Sequence, residues 1–130
     1  MIVEDDKYMN ETLCEVLEAE GYNVESATSA LGAINKLKHS DEVFHILVLD
    51  YNLQHLRGIT GLDIFEIAKE VNPNVKAIMI SAYGRDKNIR EKALSIGIET
   101  FLDKPFLITD LVDTIDDLAR DLTEHGKVPC

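Results

Sequence analysis

Short apolar runs alternate with longer amphipathic stretches along the chain, and this alternation restricts the fold more than any other sequence feature. Segments 44–49 and 75–80 are almost continuously apolar and rich in Ile, Leu and Val, as is typical of strands buried on both faces. Weaker strand candidates are segments 2–3, 23–27 and 98–102. Strands that alternate with helices build a parallel sheet covered by helices on both faces. We therefore predict an α/β fold.

Amphipathic stretches between these strands have the spacing of helices. The clearest apolar stripe comes last in the chain and consists of Ile108, Leu111, Val112, Ile115, Leu118, Ala119 and Leu122. Earlier helices are expected to end at Gly21, at the Asn72-Pro73 step and at Gly97. The order is five repeats of a strand followed by a helix. Because such crossovers are right-handed, this order predicts a single doubly wound, five-stranded parallel sheet.

Composition restricts the environment and the partners of the chain. A net charge of −11 argues against direct binding to nucleic acid, whose phosphates the protein would repel. No apolar run approaches the roughly 18–20 residues of a membrane-spanning helix. Cys14 and Cys130 lack metal-type spacing and do not imply a disulfide framework. We expect a cytoplasmic protein without membrane contact, with residues 1–124 forming one domain and residues 125–130 a loose tail.

Polar residues follow four of the predicted strands, at the edge where doubly wound sheets bind their ligands. Glu4 and Asp5 follow the first strand, and Asp50 ends the third. Ser81 ends the fourth strand, and Lys104 follows the fifth. Clustered carboxylates require a cation, and their hard oxygen atoms favour Mg²⁺ or Mn²⁺. Because carboxylates can accept phosphoryl groups while ammonium and hydroxyl groups bind phosphoryl oxygens, the set predicts phosphoryl transfer onto Asp50.

Four fragments together resemble, in order and spacing, the receiver domains of two-component signalling: Val3-Glu-Asp-Asp, Leu-Val-Leu-Asp50, Ile-Ser81-Ala and Phe101-Leu-Asp-Lys104-Pro-Phe. The resemblance covers nearly the whole chain. It implies the flavodoxin-like strand order 2-1-3-4-5 and a phosphorylation-dependent switch rather than a turnover enzyme. It also implies a sensor histidine kinase or histidine phosphotransfer protein as donor, an unknown downstream protein as target, and a monomer or phosphorylation-dependent dimer.

The resemblance further implies a role for each site residue. Asp50 is the phosphoacceptor, and Asp5 binds the metal directly. Glu4 acts on the metal through water, and the backbone carbonyl of Asn52 is a further ligand. Lys104 binds the phosphoryl group, in a loop that contains a cis peptide bond before proline.

Ser81 and Phe101 match the switch pair of such domains. Ser81 is expected to move towards the phosphoryl oxygens, and Phe101 to turn inward into the vacated space, besides its role as a core aromatic. The surface of the fourth helix, fifth strand and fifth helix then changes for a partner to bind. Asn52 and Tyr83 occupy positions that tune dephosphorylation.

Some features depart from the family pattern. The first strand is short, because only three residues precede Glu4. Gln54 stands where receivers often have proline, four residues after the acceptor. The following loop is extended, because both Gly58 and Gly61 could match the family glycine, and this leaves the role of residues 55–57, which include a histidine and an arginine, undefined.

Other polar residues fit simpler structural roles. We expect Asp6 to cap the first helix. The histidines have no ligand spacing and are assigned to loops, strand ends and the tail: His39, His45, His55 and His125. A solvated face of the last helix is assigned to Asp110, Asp113, Asp116, Asp117 and Asp121.

Three other functions stay open as alternatives. A flavin- or nucleotide-binding module would need a small, Gly/Ser/Thr-rich turn after the first strand, where this chain has acids. A haloacid-dehalogenase-like phosphatase that uses Asp50 as nucleophile would carry a second aspartate where this chain has Asn52. A receiver-like adaptor that binds partners without phosphorylation is the strongest alternative.

Overall fold

The computed structural model describes residues 1–51, 59–81 and 87–124. Five parallel strands form one sheet in the order β2-β1-β3-β4-β5, which confirms the predicted topology. The strands are β1 (Ile2–Val3), β2 (Ser26–Ala27), β3 (Ile46–Asp50), β4 (Lys76–Ser81) and β5 (Thr100–Asp103). The helices are α1 (Lys7–Ala19), α2 (Ala30–His39), α3 (Gly61–Val71), α4 (Lys87–Ile96) and α5 (Ile108–Glu124). None of these described helices combines the length and apolar character needed to span a bilayer.

The strand bounds agree with the predicted ones in part. The strands β3 and β4 end at Asp50 and Ser81, as predicted, whereas β5 runs one residue further than predicted, to Asp103. By contrast, β2 is shorter than the predicted segment 23–27, because it pairs only with the two residues of β1. The length of a strand thus follows from its neighbour in the sheet as well as from its own sequence.

Helix boundaries follow local capping chemistry. Asp6 caps α1, as predicted, and its carboxylate accepts a hydrogen bond from the backbone N–H of Met9 at 3.1 Å. The N-cap of α3 is Thr60, whose hydroxyl accepts from Leu62 N–H at 3.2 Å. Beyond the ends of α1 and α4, Gly21 and Gly97 have φ angles of +96° and +107°, which glycine adopts without strain. Both predicted stops are confirmed.

The core consists of two apolar layers, one on each face of the sheet. One layer joins the sheet to α2, α3 and α4, and the other joins it to α1 and α5. Side chains of β3 alternate between them, because Leu47 and Leu49 belong to the first layer and Val48 to the second. Each fully buried Leu, Ile or Val contributes roughly 1.5–3 kcal/mol to folding. These layers fix the strands rigidly and leave the carboxyl edge of the sheet for polar groups.

Helical spacing in the sequence predicts an apolar stripe of Met9, Leu13, Val16 and Leu17 on α1, and this prediction is wrong at one position. Met9 is 36% exposed, whereas the neighbouring Asn10 is only 3% exposed. The amide of Asn10 donates to the carbonyl oxygens of Glu4 at 3.1 Å and Ala27 at 3.0 Å. These carbonyls lie at the ends of β1 and β2, and a buried backbone oxygen requires a donor.

The acidic face of α5 is only partly solvated. Asp110, Asp113 and Asp117 are exposed, as expected. Asp116 and Asp121 are half-buried instead, and the hydroxyl of Tyr22 donates a hydrogen bond to the Asp116 carboxylate.

Candidate functional site

Three carboxylates converge at the carboxyl ends of β1 and β3. Glu4 and Asp5 follow β1, and Asp50 is the last residue of β3, which pairs directly with β1. One oxygen atom of each carboxylate lies within 4.8 Å of the others. Glu4 and Asp50 are 7% and 4% exposed, so two of the three negative groups are screened from water. The convergence expected from the strand ends is therefore present.

Lys104 brings a positive charge to this cluster. Its ammonium nitrogen donates to Oδ2 of Asp50 at 2.9 Å and lies 3.8 Å from Oε1 of Glu4. The backbone N–H of Lys104 donates to the carbonyl of Ser81 at 3.1 Å, which anchors this residue to the end of β4. The peptide bond between Lys104 and Pro105 is cis, as the family resemblance implies.

Crowding of the acids perturbs their protonation. Burial, hydrogen bonds with Asp5 and Asp50, and the negative charge of Asp50 together raise the pKa of Glu4 to about 8. A hydrogen bond from the backbone N–H of Asp6 acts in the opposite direction. Burial lowers the pKa of Lys104, but the hydrogen bond to Asp50 and the surrounding negative charges outweigh burial and raise it. The site therefore favours additional positive charge.

The donor set fits a hard divalent cation. Carboxylate oxygens from Glu4, Asp5 and Asp50 are close enough to share one ion, and all-oxygen sites suit Mg²⁺ or Mn²⁺. The raised pKa of Glu4, caused first by burial and then by its neighbours Asp5 and Asp50, agrees with a site that a cation would stabilise. Asn52, whose backbone carbonyl is the predicted further ligand, lies outside the described residues.

Ser81 and Phe101 lie on the neighbouring strands β4 and β5. Ser81 is 3% exposed and is paired in register with Asp103. Phe101 is paired with Met79, is half-buried, and packs against the core layer under α2, α3 and α4. The predicted core role of the ring is thus confirmed.

Gly61 allows the start of α3 to approach the acceptor strand. A Cβ atom at Gly61 would lie 3.1 Å from the carbonyl oxygen of Asp50 and 3.3 Å from Cβ of Leu49. Two glycines could match the family pattern. At Gly61 the close approach of the acceptor strand leaves little room for a side chain. Gly58 lies outside the described residues.

Several other residues named from the sequence also fall outside the described part of the chain: Gln54, His55, Arg57, Tyr83 and the tail 125–130.

Two residues that the sequence does not single out take part in the site or its surroundings. Asn10 holds the carbonyl of Glu4, and its only sequence signal is a polar residue beside the apolar stripe of α1. Arg90 of α4 contacts Phe101 and Asp103 of β5, and no motif marks it.

An apolar cavity of about 560 Å³ lies at the opposite edge of the sheet, lined by Leu17, Val24, Phe44, Ile46 and Ile115 among others. Glu4, Asp5 and Asp50 do not line it, so the acidic cluster and this cavity are separate features of the molecule.

Comparison with known proteins agrees with the geometry of this site. The family model of the response regulator receiver domain matches residues 1–116. A CpxR homolog of Haemophilus influenzae, a transcriptional regulatory protein, is 34% identical over 122 residues, which are 92% of this chain and 49% of the relative. The chemotaxis protein CheY of Thermotoga maritima is 29% identical over 121 residues, which are 92% of this chain and 96% of the relative.

A solved structure shares the same fold. The CheY-like response regulator receiver domain protein from Methanospirillum hungatei superposes with a TM-score of 0.80 at 28% identity, and the match covers 95% of this chain and 94% of the other. The chain spans about half the length of the first curated relatives that it matches, which are transcriptional regulators.

Proposed function

This chain belongs to the response regulator receiver domain family of two-component systems, and we propose that it is a switch driven by phosphorylation of Asp50. Receiver domains are signalling regulators rather than turnover enzymes. The observation that carries the proposal is the buried carboxylate of Asp50, which lies between an ammonium group at 2.9 Å and two further carboxylates. An aspartate that served only as a turn residue at the end of a strand would not require an ammonium group and two further acids beside it.

The proposed reaction is phosphoryl transfer from a phosphohistidine. An oxygen of Asp50 attacks the phosphorus atom, a P–O bond forms, and the P–N bond to the donor imidazole breaks as the imidazole leaves and takes up a proton. Such transfer depends mainly on alignment and on positive groups near the phosphoryl oxygens. Lys104 orients the attacking carboxylate and remains within reach of the transferred group. Ser81, buried at the adjacent strand end, supplies a hydroxyl donor.

Glu4, Asp5 and Asp50, together with the backbone carbonyl of Asn52, would hold a Mg²⁺ or Mn²⁺ ion. The bound ion supplies positive charge that offsets the repulsion between these carboxylates and an incoming phosphoryl group. The same acids argue against a nucleotide-binding site after β1, since without an ion they would repel phosphate.

Signal output is proposed to follow from a population shift. Ser81 moves towards the phosphoryl oxygens, and the ring of Phe101 turns into the space that it leaves. The surface of α4, β5 and α5 then changes for a downstream protein. The donor would be a sensor histidine kinase or a histidine phosphotransfer protein, acting in the cytoplasm, and the switch works as a monomer or as a phosphorylation-dependent dimer.

The test is incorporation of a phosphoryl group. We would incubate the protein with Mg²⁺ and acetyl phosphate and measure its intact mass, with Asp50→Ala as the test variant. Asp113→Ala is the matched control, because it removes an exposed carboxylate from α5. The wild type and the Asp113→Ala variant should gain one phosphoryl group, and the Asp50→Ala variant none.

Two outcomes would overturn the proposal. A folded wild-type protein that gains no phosphoryl group under these conditions would favour the phosphorylation-independent adaptor. Sustained hydrolysis of small phosphoesters, lost in Asp50→Ala, would favour the phosphatase.

A further inference from the structure

The first turn of α4 carries a cation that contacts two residues of β5. The guanidinium carbon of Arg90 lies 4.9 Å from the centroid of the Phe101 ring. Its Nη2 atom lies 3.6 Å from Oδ1 of Asp103. Arg90 is therefore in contact with the aromatic residue to which we assign the switching role.

Strand geometry explains why one side chain reaches both partners. Phe101 and Asp103 are two residues apart on β5, so they point to the same face of the sheet. This is the face covered by α4, because Ala93 of α4 and Phe101 pack into the same core layer. A planar guanidinium can stack on a ring while its N–H groups point to a carboxylate, whereas an ammonium cannot do both equally well.

We propose that Arg90 is a positioning residue that holds the Phe101 ring in its resting orientation and so sets how readily the switch responds. This inference rests on the proposed function of Phe101. A ring that turns inward leaves the guanidinium, so the stacking contact stabilises the resting state only. A contact made in one of two states shifts their ratio. Asp103 immediately precedes Lys104. The ion pair between Arg90 and Asp103 therefore also holds the end of β5, next to the ammonium group that binds the phosphoryl group.

The expected effect is a moderate one. The Arg90 and Asp103 side chains are 42% and 45% exposed, so their ion pair is screened by water. Stacking of a cation on a partly exposed ring is likewise weak. Loss of both contacts should change the ratio of resting to active states about three- to tenfold.

The experiment compares variants of Arg90 with a matched cation on the same helix. Arg90→Ala removes both contacts, and Arg90→Lys keeps the charge without the planar group. Lys87→Ala is the control, because it also removes one positive charge from the first turn of α4, and its side chain is 88% exposed. Two readouts are used on each full-length variant: the Phe101 ring signals by NMR without ligand, assigned with Phe101→Leu, and the midpoint of a beryllofluoride titration in excess Mg²⁺.

We expect the ring signals of Arg90→Ala to move towards those of the beryllofluoride-saturated wild type, and its midpoint to fall about three- to tenfold. Arg90→Lys should lie between Arg90→Ala and the wild type, and Lys87→Ala should match the wild type in both readouts. A merely structural role for Arg90 would lower thermal stability without moving the ring signals in this direction.

The outcomes separate this inference from the proposed function. Equal ring signals and midpoints in the wild type and in both Arg90 variants would overturn the role of Arg90 while the switch itself stands. A wild type that does not respond to beryllofluoride would overturn the proposed function. In that case the ring signals of the Arg90 variants still report whether this side chain holds Phe101.

Discussion

Binding of Mg²⁺ to this protein should become stronger as the pH rises towards 8. In the metal-free protein, burial and the neighbouring carboxylates raise the pKa of Glu4 to about 8, above its ordinary value of 4.5. Glu4 therefore holds a proton at neutral pH. Because the ionised carboxylate is the form that attracts a cation, binding of the metal must release this proton.

The size of this pH effect on the Mg²⁺ affinity follows from the titration of Glu4 alone. Below the pKa of Glu4, the apparent affinity for Mg²⁺ falls by up to about tenfold for each unit by which the pH is lowered. This factor corresponds to about 1.4 kcal/mol. Between about pH 6 and pH 8 the affinity should rise by up to about 100-fold and then level off. Lys104 does not titrate in this window, because its pKa is raised above the ordinary value of 10.5.

Calorimetric titration with Mg²⁺ in two buffers of different ionisation enthalpy counts the released protons directly. The wild type should release about one proton near pH 6.5 and almost none near pH 9. Glu4→Gln is the control, because it keeps the shape of the side chain and cannot titrate; its affinity should vary little with pH. Equal pH dependence in the wild type and in Glu4→Gln would refute the assignment of the proton to Glu4.

Three further predictions concern single side chains. Lys104→Met should lower the unfolding free energy of the metal-free protein by about 1–3 kcal/mol, a modest value because the Lys104 side chain is 36% exposed. Urea unfolding in EDTA measures this loss, and added Mg²⁺ should reverse part of it. Asn10→Leu removes a donor from the carbonyls of Glu4 and Ala27, of which Ala27 keeps the backbone N–H of Glu4. It should cost about 1–3 kcal/mol; wild-type stability would contradict this. Gly61→Ala forces a Cβ against the Asp50 backbone and should lower the melting temperature. Gly32→Ala meets side-chain atoms only, the hydroxyl of the N-cap Ser29 at 3.1 Å and Ala27 Cβ at 3.8 Å, and should lower it less.

The strand ends could be predicted because they depend on local pattern and on one general property of parallel sheets. Runs of Ile, Leu and Val identify β3 and β4, and the residue after each run lies at the carboxyl edge. Any charged or hydroxyl side chain there must face the others across that edge. This pattern alone predicts Asp50, Ser81 and Lys104 as site residues.

Other features depend on contacts between elements that are remote in sequence. The shortness of β2 follows from the two residues of β1 beside it. The burial of Asn10 in place of Met9 follows from carbonyl groups at the ends of two strands, which no helical periodicity reveals. The contact of Arg90 with Phe101 depends on how α4 lies on β5. Local patterns define elements and edges, whereas tertiary packing decides which polar residues become buried.

Chemical trapping of the phosphorylated residue tests the central claim most directly. After incubation with Mg²⁺ and acetyl phosphate, borohydride reduces an aspartyl phosphate to homoserine, and peptide mass spectrometry then locates the changed residue. We predict homoserine at position 50 and at no other aspartate. Homoserine at Asp5 instead, or its absence from a protein that remains folded and binds Mg²⁺, would contradict the assignment of Asp50 as phosphoryl acceptor.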